Sequence, residues 1–305
     1  MAVVVCAMCS AAAMAQDGGT LKKIKDKKAI TLGVREASSP FSFLDEKQQY
    51  VGYSIDLCMK IVDAVKANLK MPDLKVNLTR VSSQTRMQMM MNGDIDLECG
   101  SSTNSVERQK LVSFVVTTFF TGTKMLVKTA SGIKSYKDLK GKTVAVNTGT
   151  TNEQALKEHN LQESLGIRFT QFRDHNDAVL AVDSGSAAAF PMDDVLLYSM
   201  RANAKNPADL AVVGEFLTDD PYGIMLRKDD PAFKKLADGA VIALFKSGEI
   251  NKIYARWFES PIPPKNVNLQ MPMNSTLKKY IRSPNDDGVD KCGRMHCMMS
   301  APRDM

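Results

Sequence analysis

A ten-residue stretch, GSSTNSVERQ, combines several hydroxyl side chains with one arginine and follows the strand-like segment DIDLEC. Ser101, Thr103 and Arg108 could serve two kinds of chemistry. A hydroxyl beside a base can act as a nucleophile, whereas hydroxyls beside an arginine can hold an anion through charge-assisted hydrogen bonds. The spacing of Asn104 and Glu107 resembles a capping box, which predicts that a helix begins here. Capping alone, with Arg108 on the surface, is the alternative.

A second stretch, NTGTTNEQ, repeats this pattern later in the chain. Gly149 allows a tight turn after a predicted strand, and Thr150 and Thr151 lead into a predicted helix. Hydroxyl groups from both stretches could bind one carboxylate. A threonine-rich helix cap with no other role is the alternative explanation.

Further candidates for contact with an anion are isolated in the sequence. Arg35 ends the first predicted strand, and Arg86 follows Ser83 by three residues in SSQTR, at a predicted helix start. Isolated arginines are commonly solvated surface residues. His175, in the loop RDHND, could equally be structural and bond to a backbone carbonyl group.

Two adjacent carboxylates follow the apolar segment AAAF. Neighbouring residues on a strand point to opposite faces, so Asp193 and Asp194 are not expected to share one proton as an acid and base pair. One of them can face a cleft and pair with an ammonium group.

Catalytic motifs are absent from the body of the sequence. It contains no Ser-His-Asp order, no glycine-rich phosphate loop and no metal-ligand spacing. We therefore predict a binding protein that has no cofactor and no metal and is not an enzyme. An enzyme that uses His175 as its acid or base is the alternative. The Cys-, Met- and His-rich end of the chain suits Cu(I), but its spacing fixes no complete set of ligands.

Composition limits the class of protein. The chain has 305 residues, 44% hydrophobic and 24% charged, and these values are typical of a soluble globular protein. Its net charge of +6 comes from scattered residues, which argues against nucleic-acid binding. Residues 1–15 are apolar and end in AMA, which predicts a signal peptide and an exported protein without stable membrane insertion. Export permits disulfides, but the sequence leaves open whether Cys58 pairs with Cys99, or Cys292 with Cys297.

The predicted elements alternate between strand and helix in two series. This pattern indicates an α/β fold with mostly parallel sheets covered by helices. Two long apolar segments, VSFVVTTFFTGTKMLVK and LAVVGEFLTDDPYGIMLRKD, predict crossings between two lobes, with a cleft at the carboxyl ends of the strands. We predict one lobe from residues 21–118 and 222–280, a second lobe from residues 119–221 with hinge strands at its ends, and a tail at residues 281–305.

Several motifs, in this order and spacing, resemble the periplasmic amino-acid-binding proteins of ABC importers, and within them the glutamate/aspartate-binding branch. They are GVREASSPFSF, VGYSIDL, SSQTR, NGDIDLECGSSTNSVERQK, LKGKTVAVNTGTTNE, MDD, YGIMLRKDDPAFKKL and SPIPPKN. The resemblance covers roughly residues 21–280 and implies a type II clamshell fold in which ligand binds between the lobes.

The resemblance also implies roles for the candidate residues. Those expected at the ligand's α-carboxylate are Ser101, Thr103, Arg108 and Thr151. Those expected at its distal carboxylate are Arg35, Ser83, Arg86 and His175. Asp193 is the expected partner of the ammonium group.

Three arginines and one aspartate match a ligand with two carboxylates and one ammonium group, which predicts L-glutamate or L-aspartate. A basic amino acid would be repelled by the arginines, and glutamine would leave two of them uncompensated. The expected partners are this ligand and an inner-membrane permease with its ATPase, and the expected state is a periplasmic monomer. Glutamine binding, or a dehydratase of the same fold acting on a small carboxylic acid, are the alternatives.

Overall fold

The computed structural model describes residues 19–290. The predicted signal peptide and the cysteines at positions 292 and 297 lie outside these residues. The α-helices of the described part are α1 (Thr20–Lys27), α2 (Tyr53–Leu69), α3 (Arg86–Asn92), α4 (Val106–Gln109), α5 (Thr151–Gln162), α6 (His175–Asp183), α7 (Asp194–Asn203), α8 (Pro231–Ser247), α9 (Glu249–Phe258) and α10 (Ser275–Arg282).

The strands are short, as the frequent turn signals predict. In chain order they are β1 (Ala29–Val34), β2 (Ala37–Ser38), β3 (Ser42–Leu44), β4 (Tyr50–Val51), β5 (Lys75–Arg80), β6 (Leu97–Glu98), β7 (Val112–Phe114), β8 (Phe119–Thr121), β9 (Thr123–Lys128), β10 (Thr143–Asn147), β11 (Arg168–Phe172), β12 (Ala189–Asp193), β13 (Leu210–Val213), β14 (Asp220–Tyr222), β15 (Met225–Arg227), β16 (Pro261–Ile262) and β17 (Val267–Asn268).

The first five-stranded sheet has the order β5-β1-β6-β15-β7. Strand β1 is parallel to β5 and β6, while β15 is antiparallel to β6 and β7. Helix α2 packs on this sheet because Leu57, Ile61 and Val65 recur at a spacing of four residues and are fully buried. The parallel strands therefore place their carboxyl ends, and the residues that follow them, at one edge of the sheet.

The second five-stranded sheet has the order β11-β10-β12-β9-β13. Strand β10 is parallel to β11 and β12, and β9 runs antiparallel between β12 and β13. Its core includes Val144, Val146 and Leu156, all fully buried. Thr150 and Asp193 follow or end two neighbouring parallel strands, so they lie at the carboxyl edge of this sheet.

The chain passes between the sheets twice. The first long apolar segment is divided into β7, β8 and β9, so it is not one continuous strand. Strand β8 pairs antiparallel with β14, and these two strands form the only two connections from sheet to sheet in the described chain. The predicted α/β fold with two lobes and two crossings is confirmed. The exact lobe boundaries stay a prediction.

A disulfide joins Cys58 in α2 to Cys99, with Cα atoms 6.1 Å apart. The sequence had left this pairing open. Residues 281–290 pack near α4, where the N–H of Val106 donates to the carbonyl oxygen of Val289 at 2.9 Å. Within residues 19–290, no helix is long and apolar enough to cross a membrane.

Candidate functional site

A small polar pocket lies where the carboxyl edges of the two sheets meet. Its lining comes from both sheets and includes Ser83, Arg86, Ser101, Thr103, Thr150, Thr151, Asn152, His175, Met192 and Asp193. Seven of the nine predicted site residues are among them. The other two contact the lining, because Arg35 Nη2 donates to Ser83 Oγ at 3.0 Å and Arg108 Nη1 donates to the carbonyl oxygen of Thr103 at 2.8 Å. The structure therefore brings all nine together.

The hydroxyl-rich stretch after β6 is ordered by a helix cap, although not by the predicted one. Ser105, not Asn104, is the N-cap of α4, and its Oγ accepts from the N–H of Arg108 at 3.3 Å. The Asn104 amide instead donates to the carbonyl oxygen of Asp286 at 2.8 Å. The capping box was therefore wrong by one residue. Ser101 and Thr103 take no part in this cap and stay available to the pocket.

The second sheet contributes the threonines at the start of α5. Thr150 is the cap residue, and its Oγ1 accepts from the N–H of Glu153 at 3.1 Å. Thr151 Oγ1 donates to Thr103 Oγ1 at 3.2 Å, and Arg108 Nη2 donates to the carbonyl oxygen of Gly149 at 3.2 Å. Hydrogen bonds thus join the two lobes directly beside the pocket, and the cleft is closed.

Both isolated arginines are buried, so the surface alternative is wrong for them. Arg35 and Arg86 are each 2% exposed. Arg86 Nη1 donates to Ser102 Oγ at 2.7 Å and to the carbonyl oxygen of Ser101 at 3.2 Å. Burial, and then the charge of Arg86, lowers the pKa of Arg35 to about 10, which still leaves it cationic at neutral pH. Arg35 Nη1 and Arg86 Nε are buried without a hydrogen-bond partner within the described residues.

His175 is 1% exposed, and its Nδ1 lies 3.2 Å from the carbonyl oxygen of Ala37. This contact, which also joins the two lobes, is the structural role considered for it. Burial, followed by the charges of Arg35 and Arg86, lowers its pKa well below the usual value. The imidazole is therefore neutral at pH 7 and donates from Nδ1 to the carbonyl oxygen.

Asp193 is buried at the end of β12. Its Oδ1 accepts from Asn152 Nδ2 at 2.8 Å, and its Oδ2 accepts from the hydroxyl of Tyr222. Burial raises its pKa, and these two hydrogen bonds oppose the rise. Asp194 has a different partner, because its Oδ1 accepts from Thr121 Oγ1 at 2.6 Å. The two carboxylates are separated as expected, and only Asp193 lines the pocket.

Sequence reasoning missed several polar residues around the pocket. They are Glu98, Ser102, Asn152, Asp220 and Tyr222. Two carried a signal: Glu98 is a charged residue inside a buried-looking strand, and Asp220 lies in the run LTDDPYG between two apolar segments. A buried carboxylate needs a partner, so each of these two signals indicates a carboxyl group beside the arginines.

The charges near the pocket leave a small positive excess. The three arginines face two carboxylates, Glu98 and Asp193. Asp220 lies beside Asp193, and burial followed by the charge of Asp193 raises the pKa of Asp220 to about 8, so these two neighbouring carboxyl groups together carry about one negative charge near pH 7. One net positive charge remains, which suits a ligand with one net negative charge.

Two α/β lobes, joined by two strands and closed over a buried polar pocket, define a clamshell binding protein. Residues 30–260 match the family described as bacterial extracellular solute-binding proteins, family 3, so the chain belongs to that family.

Two curated relatives share much of the chain. It is 48% identical over 290 residues to the L-glutamate/L-aspartate-binding protein of Pseudomonas aeruginosa, covering 94% of this chain and 96% of the relative. It is 44% identical over 273 residues to the glutamate/aspartate import solute-binding protein of Escherichia coli, covering 90% of each. The resemblance stated from the motifs is confirmed. These relatives are named as binding proteins, not enzymes.

A solved structure supports the fold. An ancestral arginine-binding protein bound to arginine superposes with a TM-score of 0.69 at 29% identity, covering 76% of this chain and 98% of that one. The clamshell architecture is therefore shared with a protein that binds arginine, a cationic amino acid. Fold alone does not select the ligand, and the residues of the pocket must do so.

Proposed function

We propose that this chain is the periplasmic solute-binding component of an ABC importer for acidic amino acids and that it binds L-glutamate or L-aspartate. The observation that carries the proposal is the cluster of three arginines at the pocket, which face the carboxylate of Glu98 and the neighbouring carboxyl groups of Asp193 and Asp220. The two relatives at 44–48% identity, both named for glutamate and aspartate, support the same ligand class.

The α-carboxylate of the ligand would be held by residues from both lobes. Ser101, Thr103 and Arg108 belong to the first lobe, and Thr151 belongs to the second. Burial and the charge of Arg86 lower the pKa of Arg108 to about 9, so its guanidinium group remains charged and can donate to a carboxylate. The direct contact of Thr151 with Thr103 supports a shared anion at this point.

The distal carboxylate would lie among Arg35, Ser83, Arg86 and His175. The buried donors Arg35 Nη1 and Arg86 Nε support this placement, since a buried donor normally has an acceptor. Asp193 would accept from the ammonium group of the ligand. That cation would strengthen the ionised form of Asp193, whose pKa burial raises.

The mechanism involves no bond making. Ligand binds to one lobe of the open protein, and contacts from the other lobe form only when the lobes close. We propose that residues 21–118 and 222–280 move as one lobe against residues 119–221, with β8 and β14 as the hinge. The closed form of this monomer would then dock on an inner-membrane permease that works with an ATPase.

Isothermal titration calorimetry with L-glutamate, L-aspartate, L-glutamine and L-arginine tests the ligand class. We expect the two acidic amino acids to bind at least ~100-fold more tightly than the others, because an uncompensated buried charge costs several kcal/mol. The variant Asp193→Asn should strongly raise the Kd for glutamate. The carboxylate of Asp194 is adjacent in sequence but lies outside the pocket, so Asp194→Asn should change this Kd little. Tighter binding of glutamine or arginine than of glutamate would overturn the proposal.

A further inference from the structure

A carboxylate that was not among the expected ligand contacts lies beside the arginines of the pocket. Glu98 ends the buried strand β6 and is 0% exposed. Its Oε2 accepts from Ser102 Oγ at 2.5 Å, and the same hydroxyl accepts from Arg86 Nη1. Its Oε1 lies 4.0 Å from Arg86 Nη1 and has no hydrogen-bond partner within the described residues.

The backbone leaves room for this carboxylate. A Cβ atom added at Gly100 would overlap Glu98 Oε1 and would lie 3.0 Å from Arg35 Cγ. Glycine at this position therefore lets the Glu98 carboxylate lie close to the Arg35 side chain as well as to Arg86. The Glu98 carboxylate thus lies near the side chains of both buried arginines, Arg35 and Arg86.

The charge of Glu98 also acts on Arg108, which is proposed to bind the other end of the ligand. It raises the pKa of Arg35 and of Arg108, although burial lowers both pKa values by more. Asp193, the pocket carboxyl group on the second sheet, has its own partners in Asn152 and Tyr222. Glu98 is therefore the anion that compensates the arginine cluster within the first lobe.

We propose that Glu98 sets the charge of the pocket and thereby its preference among ligand side chains, without touching the ligand. The Glu98 carboxylate offsets one of the arginine charges, so the positive charge that remains at the pocket matches one side-chain carboxylate of the ligand. Without that anion, two cations would be uncompensated, and a ligand with a neutral side chain would be rejected more strongly. This inference rests on the proposed function.

The variant Glu98→Gln tests it, because glutamine has nearly the same size and can still accept from Ser102 Oγ. Calorimetry with L-glutamate and L-glutamine gives the ratio of the two dissociation constants. We expect Kd(glutamine)/Kd(glutamate) to rise at least ~10-fold, since only the ligand carboxylate gains attraction when a nearby anion is removed. Glu98→Asp restores the charge, and its ratio should return to within ~3-fold of wild type.

An unchanged ratio in Glu98→Gln, with both constants shifted by the same factor, would show that Glu98 is only structural and would overturn the inference. If Glu98→Gln does not fold, the double variant Arg35→Gln/Glu98→Gln is compared with Arg35→Gln as its reference. The double variant keeps the wild-type net charge. The same rise in the ratio is expected there, and its absence has the same meaning. Wild-type protein that binds neither L-glutamate nor L-aspartate would refute the proposed function itself, whatever the variants do.

Discussion

Replacement of Gly149 by alanine should obstruct closure of the cleft. Gly149 lies in the second lobe, directly before the cap residue of α5, and has φ = +82°. A Cβ atom there would lie 3.0 Å from the carbonyl oxygen of Ser83 and 3.1 Å from Cα of Gln84, which are backbone atoms of the first lobe. Because these contacts cross the cleft, they penalise only the closed state.

Two contributions can be separated by magnitude. The positive φ costs alanine about 1–2 kcal/mol, and it does so with or without ligand. Crowding against the opposite backbone costs about 1–3 kcal/mol in the closed state alone, which corresponds to a rise in Kd of roughly 5- to 150-fold.

Gly185 supplies a matched control, because its φ is +81° and a Cβ atom there meets nothing within 4 Å. Gly185→Ala should lower the melting temperature by an amount similar to Gly149→Ala but leave the Kd for glutamate unchanged. Calorimetry gives the Kd values, and small-angle scattering gives the ligand-induced decrease in radius of gyration, which Gly149→Ala should reduce. Equal Kd values for the two alanine variants would refute the role of this contact in closure.

Three further perturbations follow from buried groups. The double variant Cys58→Ala/Cys99→Ala removes the disulfide between two cysteines that are 41 residues apart in the sequence. Its free energy of unfolding, measured by urea denaturation, should be about 4 kcal/mol lower than that of the wild type. A loss below about 1 kcal/mol would contradict this. Tyr222→Phe removes a hydrogen bond from the buried Asp193 carboxylate and should cost about 1–3 kcal/mol of glutamate binding in calorimetry; an unchanged Kd would contradict that role. His175 stays neutral in the folded state, whereas in the unfolded state it takes up a proton below pH ~6.5. Acid should therefore lower the free energy of unfolding of the wild type more than that of His175→Asn. The difference should grow by up to about 1.4 kcal/mol per pH unit. Urea denaturation at several values between pH 5 and pH 7 measures that difference, and parallel curves would contradict it.

The fold could be predicted because the sequence repeats one physical pattern. Apolar strands alternate with helices whose buried residues recur at a spacing of three or four, as Leu57, Ile61 and Val65 do in α2. Polar residues then follow strands that run parallel, so the sheet itself brings them to one edge. The hydroxyls of Thr103 and Thr151, far apart in the sequence, meet for this reason.

Details that depend on three-dimensional neighbours could not be predicted. The choice of Ser105 over Asn104 as the cap of α4 depends on the carbonyl oxygen of Asp286, which attracts the asparagine amide from a distant part of the chain. The partner of Cys58 likewise depends on how α2 lies over β6. Asp220 could be seen in the sequence, but its raised pKa follows from burial beside Asp193, which only the assembled hinge provides.

The connection between binding and closure follows from how the polar contacts are divided. Arg108, a first-lobe residue, donates to the carbonyl oxygen of Gly149 in the second, and His175 of the second lobe contacts the carbonyl oxygen of Ala37 in the first. Both side chains are also proposed to face opposite ends of the ligand. A ligand held by only one lobe would lack the contacts of the other, whereas closure forms the ligand contacts of both lobes together with these hydrogen bonds between the lobes. We therefore expect an anion of the wrong length, which reaches one end of the pocket but not the other, to bind without closing the cleft.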